Sequence, residues 1–180
     1  MFQTSWAAVL RQASSHKDIV IGTTVSGRHP ELSGSDQMIG LFFNDIPVRF
    51  SIPDIETNTI LNEAVKVQNS FSHSSEFDYV ALTQLKKIMN ISESEEIFQT
   101  LFIFENYPKH EQSELQSEGK EFLREAANWR REASTIDINV YVEIGEISTI
   151  EIRYSSELFS KKKIDELLSL YRKILKDMAK

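Results

Sequence analysis

Residues 18–50 contain two strand-like segments joined by a glycine-rich loop, and they constrain the fold more than any other part of the chain. Residues Ile19–Val25 are mostly β-branched and uncharged, which predicts a central strand buried on both faces. Residues Leu41–Ile52 alternate in polarity and contain Pro47, so we expect a second strand that is at a sheet edge, is bulged, or leaves the sheet there. The chain therefore has to build a β-sheet around this pair of strands.

The rest of the chain shows the periodicity of further helices and strands. The predicted helices are Phe2–Arg11, Thr57 to about Ser72, Leu82–Met89, and a last helix capped by Ser160; the further strands are Gln99–Glu105 and an antiparallel hairpin around Gly145. This order predicts an α/β fold: a mixed β-sheet sandwich with helices packed mainly on one face. We expect residues 1–180 to form a single domain, because this length suits one hydrophobic core.

Two of the predicted helices carry apolar stripes that should be buried. The expected buried positions are Trp6, Val9, Leu10 and Ala13 in the first helix, and Ile60, Leu61, Ala64, Val67 and Phe71 in the second. The first helix has little room for an N-cap, so we expect the chain to enter in the middle of a larger fold. Residues 109–127 are strongly polar and are interpreted as a surface excursion with a short helix.

Composition excludes several classes of function. The formal net charge of −7 argues against a nucleic-acid partner, because affinity for phosphates depends on clustered lysine and arginine. There is no cysteine, which excludes disulfides, thiolate nucleophiles and cysteine-bound metals. The apolar runs are too short for a membrane span and no signal peptide is recognisable, so the cytoplasm is the expected compartment.

No motif for a catalytic or metal site is present. The sequence lacks GxSxG, a Walker-type loop, GxGxxG and a Gly-Gly-x-Ser phosphopantetheine site, and its four histidines are scattered. His73 with Glu76 and Asp78 is interpreted as a solvated helix end rather than a metal or acid–base cluster. Lys161–Lys163 is interpreted as a solvated basic patch, with a contact to a carrier domain as the alternative. We therefore predict neither a catalytic residue nor a metal ligand.

Three ordered segments carry a family resemblance: GTTVSGR at 22–28, IGLFFN at 39–44 and IFQTLFIFENYP at 97–108. They resemble the second half of the condensation domain of nonribosomal peptide synthetases, a family of the chloramphenicol acetyltransferase-like superfamily. The family's catalytic motif HHxxxDG, which belongs to the first half, does not occur here. The resemblance implies a carboxyl-terminal lobe that encloses a tunnel. In the full domain an amide forms there between a carrier-bound acyl or peptidyl thioester and a carrier-bound aminoacyl acceptor.

The resemblance also implies which residues form the floor loop of the substrate tunnel: Ser26, Gly27, Arg28, Gly40, Phe42 and Asn44. From the residues alone, Gly27 and Gly40 allow either a close backbone approach or an ordinary turn. Arg28 is expected to anchor the loop, or to face the pantetheine arm. Asn44 needs a hydrogen-bond partner or a wet tunnel, whereas Asp45, where the family has Thr or Ser, should face the opposite side.

The family's biology implies partners rather than bound cofactors. We expect the substrates on phosphopantetheine arms, with no cofactor held directly, and the partners to be the N-terminal condensation lobe, peptidyl carrier domains and adjacent synthetase modules. Because HHxxxDG is missing, this lobe is expected to be inactive alone, and its uncovered apolar face to give a weak homodimer. The alternatives are a non-catalytic docking module, or the equivalent lobe of an epimerization domain or a carrier-linked acyltransferase.

Overall fold

The described part of the chain forms a mixed five-stranded sheet with four α-helices. The computed structural model describes residues 1–28, 33–35, 37–105, 136–145 and 148–179. The elements are α1 (Phe2–Ser14), β1 (Asp18–Val25), β2 (Asn44–Ser51), α2 (Thr57–Ser74), a 3₁₀ turn (Ser75–Phe77), α3 (Leu82–Ile88), β3 (Thr100–Glu105), β4 (Ile138–Glu143), β5 (Thr149–Tyr154) and α4 (Lys161–Met178). The predicted order of helices and strands is confirmed.

The sheet has the strand order β2-β1-β3-β4-β5. Strands β1, β3 and β4 run parallel, and the two outer strands pair antiparallel to their neighbours. The predicted hairpin of β4 and β5 is confirmed; β1 lies inside the sheet but next to the edge strand, and the central strand is β3. Strand β2 lies at the edge, which settles the alternatives for Pro47, because a residue without an N–H is tolerated at a free edge.

One face of the sheet is covered by α1, α2 and α4, and the core lies between them. The cross-strand rungs Ile19–Phe50 and Ile21–Val48 lie on this face. The aligned strands β3 and β4 contribute Phe102 and Val140 to the same core. The expected α/β fold with helices mainly on one face is therefore confirmed.

Helices α1 and α4 are joined through the aromatic pair Trp6 and Tyr171. Both side chains are fully buried, and their rings meet edge to face with centroids 5.5 Å apart. Their polar atoms are also satisfied: Trp6 Nε1 donates to Thr100 Oγ1 at 3.1 Å, and Tyr171 Oη donates to the Phe2 carbonyl at 2.9 Å. Ser160 caps α4 as predicted, accepting a bond from the amide of Lys163.

The buried stripe of α2 differs from the prediction at two positions. Ile60 is buried as expected, but Leu61 is 39% exposed, and Glu63 is buried instead. A Glu63 carboxylate oxygen accepts a bond from the backbone amide of Ser51 at 2.7 Å. Since strand N–H groups alternate in direction, Pro47, Arg49 and Ser51 all lie on the free edge of β2; Glu63 caps the Ser51 donor, and Pro47 has none. Helix α2 therefore presents Glu63, and not Leu61, to the edge of β2.

Smaller differences concern the ends of elements and the second face of the sheet. Helix α1 continues to Ser14 and ends with Ser15 in the left-handed conformation, and Ala13 on its last turn is exposed rather than buried. The second face of β1 is covered only in part, since Val20 and Thr24 on that face are half-buried. Gly22 between them is covered by the Phe98 ring, which would lie 2.2 Å from a Cβ at this position. The predicted excursion over 109–127 falls outside the described residues. No described helix has the length and apolarity required to cross a bilayer.

Candidate functional site

The candidate site is the β1–β2 loop, residues 26–43, which leaves the carboxyl end of β1. The chain returns to the sheet at Asn44, which is the register partner of Val25. Strand β2 therefore begins at Asn44 and not at the predicted Leu41, so Phe42 and Phe43 belong to the loop. Because parallel strands end at a common edge, the loop lies at the same edge as the carboxyl ends of β3 and β4.

The two arms of the β1–β2 loop approach each other closely at Gly27. Its φ of +61° is in the left-handed region, and a Cβ at this position would lie 1.7 Å from the Phe42 carbonyl oxygen. Of the two interpretations of this glycine, the structure therefore supports the close backbone approach. Gly40 has an ordinary φ, and a Cβ there would be 3.3 Å from the Phe42 ring, which is a milder restriction.

Arg28 holds the loop in shape through its guanidinium group. Nη1 donates to the carbonyl of Ser35, and Nη2 donates to the carbonyl of Met38 at 3.1 Å. The guanidinium carbon also lies 4.4 Å from the centroid of the Phe42 ring, a cation–π contact. The predicted role of Arg28 as a loop anchor is confirmed, and the bonds go to backbone carbonyls.

Ser26 begins the turn that leads into this anchor. Its Oγ accepts a 3.5 Å contact from the backbone amide of Arg28, which is the geometry by which serine supports a local turn. Gly34 opens a second turn with φ +76°, and its carbonyl accepts the amide of Gln37 at 3.0 Å. The loop is thus shaped by short-range contacts.

Asn44 and Asp45 point to opposite faces at the start of β2. The Asn44 side-chain nitrogen donates to the carbonyls of Asp78 at 2.7 Å and Val80 at 2.9 Å. Asp45 Oδ1 accepts a bond from Thr24 Oγ1 on β1 at 2.6 Å, on the other side of the sheet, as predicted. The structure thus shows a satisfied amide at Asn44; contact with substrate there stays a prediction.

Exposed apolar side chains of the loop were missed in the sequence. Leu41 is 79% exposed, Phe43 is 60% exposed, and Ile39 is fully exposed. The sequence signal for them is the run from Met38 to Phe43, whose side chains are all apolar around Gly40 although the run lies in a loop. Such a run favours a surface that another body covers.

The described residues of the β1–β2 loop provide surfaces suited to binding. Among the described loop residues Arg28 alone carries a charge, and its guanidinium is engaged with carbonyls. No group of three or more His, Asp or Glu suited to a metal ion occurs within the described ranges. The His73 ring bonds the Asn69 carbonyl at 2.8 Å on its own helix, as expected of a solvated helix end. Lys161 is likewise paired with Asp165, at 2.7 Å.

This chain is similar to short parts of two much longer synthases. It is 30% identical to tyrocidine synthase 3 of Brevibacillus parabrevis over 86% of its own length, and 30% identical to surfactin synthase subunit 2 of Bacillus subtilis (strain 168) over 88%. It spans about 2% and 4% of those proteins' lengths.

Solved structures show the same fold at low sequence identity. The first condensation domain of the calcium-dependent antibiotic synthetase, solved with a substrate analogue, matches with a TM-score of 0.70 at 14% identity, over 98% of this chain and 38% of that one. A four-domain nonribosomal peptide synthetase bound to AMP and glycine matches with a TM-score of 0.73 at 16% identity, over 98% of this chain and 14% of that one. The fold is the expected chloramphenicol acetyltransferase-like fold.

The family model for the condensation domain matches residues 1–180. The segments 22–28 and 39–44, which carry the resemblance in the sequence, bracket the β1–β2 loop. The chain belongs to the condensation-domain family of nonribosomal peptide synthetases.

Proposed function

We propose that this chain is the carboxyl-terminal lobe of a condensation domain and forms the floor and one wall of its substrate channel. The observation that carries the proposal is the locked β1–β2 loop, in which Gly27 and Arg28 hold Phe42 while Ile39 and Leu41 face outward. Loop residues that hold one another and present an apolar outer surface, as the described ones do, are suited to close a channel against a second lobe. The matched share of a solved condensation domain, 38%, agrees with one lobe of two.

In the complete domain the reaction is aminolysis of a thioester. The acceptor amine attacks the carbonyl carbon of the donor, the C–N bond forms, the C–S bond breaks, and the amine proton ends on the released pantetheine thiol. A group with a pKa near neutrality has to assist that proton transfer, and the histidine of HHxxxDG on the other lobe would supply it. This chain has no such motif, so we propose that it is inactive alone.

The contribution of this lobe would be to position the substrates and exclude water. Hydrolysis of the thioester competes with aminolysis, and an apolar wall lowers the access of water to the carbonyl. We propose that the channel floor comprises Ser26, Gly27, Arg28, Gly40, Phe42 and Asn44. Since Arg28 and Asn44 are bonded to carbonyls, they would act by shaping the floor.

The partners follow from this role. The donor and acceptor would arrive on the phosphopantetheine arms of two peptidyl carrier domains, and the N-terminal lobe would complete the channel. Neighbouring synthetase modules would provide both carriers, in keeping with the great length of the relatives. No cofactor bound to this lobe itself is proposed.

Reconstitution tests the proposal. The chain is incubated with a donor-loaded and an acceptor-loaded carrier protein, first alone, then with an N-terminal lobe that carries HHxxxDG, supplied both separately and as a single fused polypeptide. We expect no amide product from the chain alone, and product by mass spectrometry from the fused form. The same fusion with the second histidine of HHxxxDG replaced by alanine is the matched control and should give none.

Two results would contradict the proposal. Amide formation by the chain alone would show that it carries its own catalytic group. A fused protein that is folded and binds both loaded carriers, yet forms no amide, would instead support a docking module that does no chemistry.

A further inference from the structure

We propose that Asn44 is a positioning residue that ties the α2–α3 connector, residues 75–81, to the base of the β1–β2 loop. The tie itself follows from the contacts of Asn44; its use as part of a channel wall rests on the function proposed above. The two segments are 34 residues apart in sequence between Asn44 and Asp78. Linked in this way, they keep one fixed relative position at the same end of the sheet.

The geometry uses both donors of the Asn44 amide. The side-chain nitrogen lies 2.7 Å from the Asp78 carbonyl oxygen and 2.9 Å from the Val80 carbonyl oxygen, so each of its two hydrogens has an acceptor. Asn44 is itself fixed, because it is the first residue of β2 and the register partner of Val25. The connector is therefore held to the sheet through a rigid strand.

The two aromatic side chains of the connector do not hold it to the core. The side chains of Phe77 and Tyr79 are 60% and 72% exposed, so neither anchors it to the core. Val80 donates its amide to the Phe77 carbonyl at 3.0 Å within the connector, and Ala81, at the start of α3, makes no side-chain cap bond. Since neither aromatic side chain anchors the connector, the two hydrogen bonds of Asn44 contribute directly to its position.

The tie depends on the two hydrogens of the Asn44 side-chain amide. Aspartate has the same shape but no donor, and it would place a carboxylate against two carbonyl oxygens. Alanine removes both bonds without adding charge. The two substitutions therefore separate the loss of the tie from the repulsion.

The tie gives the partner lobe a composite surface. The exposed Phe43 precedes Asn44 in the chain, and the exposed Phe77 and Tyr79 flank Asp78, whose carbonyl accepts the Asn44 bond. A body that covers this end of the lobe meets apolar side chains from both segments. Asn44 would thus set the relative position of the two halves of that surface without touching substrate.

Hydrogen exchange on the isolated chain tests the tie. With Asn44→Asp and with Asn44→Ala, we expect exchange in peptides covering 75–84 to become faster by about tenfold or more, because two bonds that protect the turn are lost. Peptides covering α4 should keep their rates. Thr24→Val is the matched control: it removes the bond to Asp45 on the neighbouring rung and should leave 75–84 unchanged.

The outcomes separate the alternatives. Unchanged exchange over 75–84 in both Asn44 variants would overturn the proposal, as would an increase of the same size throughout α4, which signals only lower global stability. A direct contact of Asn44 with substrate predicts lower amide formation by the fused domain with unchanged exchange in the connector. If the wild-type fused domain forms no amide, the proposed function fails, while the exchange result still decides the tie.

Discussion

The helix-covered face of the sheet and the β1–β2 loop are stabilised in different ways. The covered face is held by apolar burial: Trp6, Ile21 and Val140 have no exposed surface. The loop is held by polar and close backbone contacts, chiefly those of Arg28 and Gly27, and it leaves most of its described apolar side chains exposed, Ile39 and Leu41 above all. The described loop residues are therefore held with only Phe42 of their apolar side chains partly buried, and the exposed Ile39, Leu41 and Phe43 stay available to a partner.

This difference separates global from local effects of substitution. A core residue contacts several elements at once, so its loss weakens the whole fold. A residue of the β1–β2 loop contacts other parts of the same loop, so its loss should change the loop's order more than the free energy of unfolding. Substitutions in the two regions can be compared directly on this basis.

The largest effect is expected for Trp6→Ala. The substitution leaves a cavity between α1, α4 and the sheet and removes the bond to Thr100, so the free energy of unfolding should fall by about 3–5 kcal/mol. Urea denaturation followed by circular dichroism measures it. Tyr79→Ala, which truncates an exposed aromatic residue, is the control and should change stability by no more than about 0.5 kcal/mol. Equal losses would mean that the core is not where the structure places it.

A smaller global effect and a larger local one are expected for Gly27→Ala. The new Cβ would meet the Phe42 carbonyl oxygen and force a left-handed residue, so the loop arms must separate, at a cost of about 1–3 kcal/mol. Limited proteolysis should then cut within 26–43 faster than in the wild type.

Gly34→Ala is the matched control for that change. Gly34 has a similar φ of +76°, but a Cβ there meets nothing within 4 Å, so it carries the backbone strain without the clash. If both variants are cut equally fast, the close approach at Gly27 does not hold the loop together.

The sequence predicts well what repeats at a fixed period. Strands β4 and β5 alternate cleanly, and α4 has an unbroken stripe through Ile164, Leu167 and Tyr171, so both were identified from pattern alone. Position 61 shows the limit of this reasoning. Because α2 has few charges, its sequence fits a buried stripe that includes Leu61 about as well as one rotated to bury Glu63. The edge of β2 decides between the two, since Glu63 accepts the backbone amide of Ser51 there.

The candidate site was predictable in place but not in detail. The glycines and the resemblance indicated the loop, and Arg28 was expected to anchor it. Its acceptors are backbone carbonyls of Ser35 and Met38, which leave no mark in side-chain identity. The bonds of Asn44 to residues 34 and 36 positions away depend on tertiary structure in the same way, so no spacing rule could reveal them.

An intermediate effect with a defined pH dependence is expected for Tyr171→Phe. Loss of the bond to the Phe2 carbonyl should cost about 1 kcal/mol at neutral pH. Burial raises the pKa of the Tyr171 hydroxyl in the folded state. The unfolded chain releases this proton near pH 10 while the folded chain keeps it, so wild-type stability is lost as the pH rises above about 10.

The comparison of the two proteins isolates that one group. The difference in the free energy of unfolding between wild type and Tyr171→Phe should shrink above about pH 10, because the phenylalanine variant has no proton to release at this position. Denaturation at about pH 8 and about pH 11 measures it. A difference that stays constant over that range would show that Tyr171 is accessible enough to ionise in the folded protein.

The smallest effect on stability and a clear effect on association are expected when Ile39 and Leu41 are both replaced by serine. Both side chains are exposed in the lobe, so the free energy of unfolding should change by about 0.5 kcal/mol or less. The weak homodimer expected of the isolated lobe would bury such a surface, so sedimentation velocity at rising concentration should show less self-association in the variant.

The matched control replaces Ile88 and Met89 by serine, since both are exposed but lie at the end of α3. If the wild type is strictly monomeric at the highest concentration, or if the control weakens association equally, the outward face of the loop is no more adhesive than other exposed apolar residues. The exposure of the apolar loop residues, in contrast to the buried core, would then not indicate a partner-binding surface.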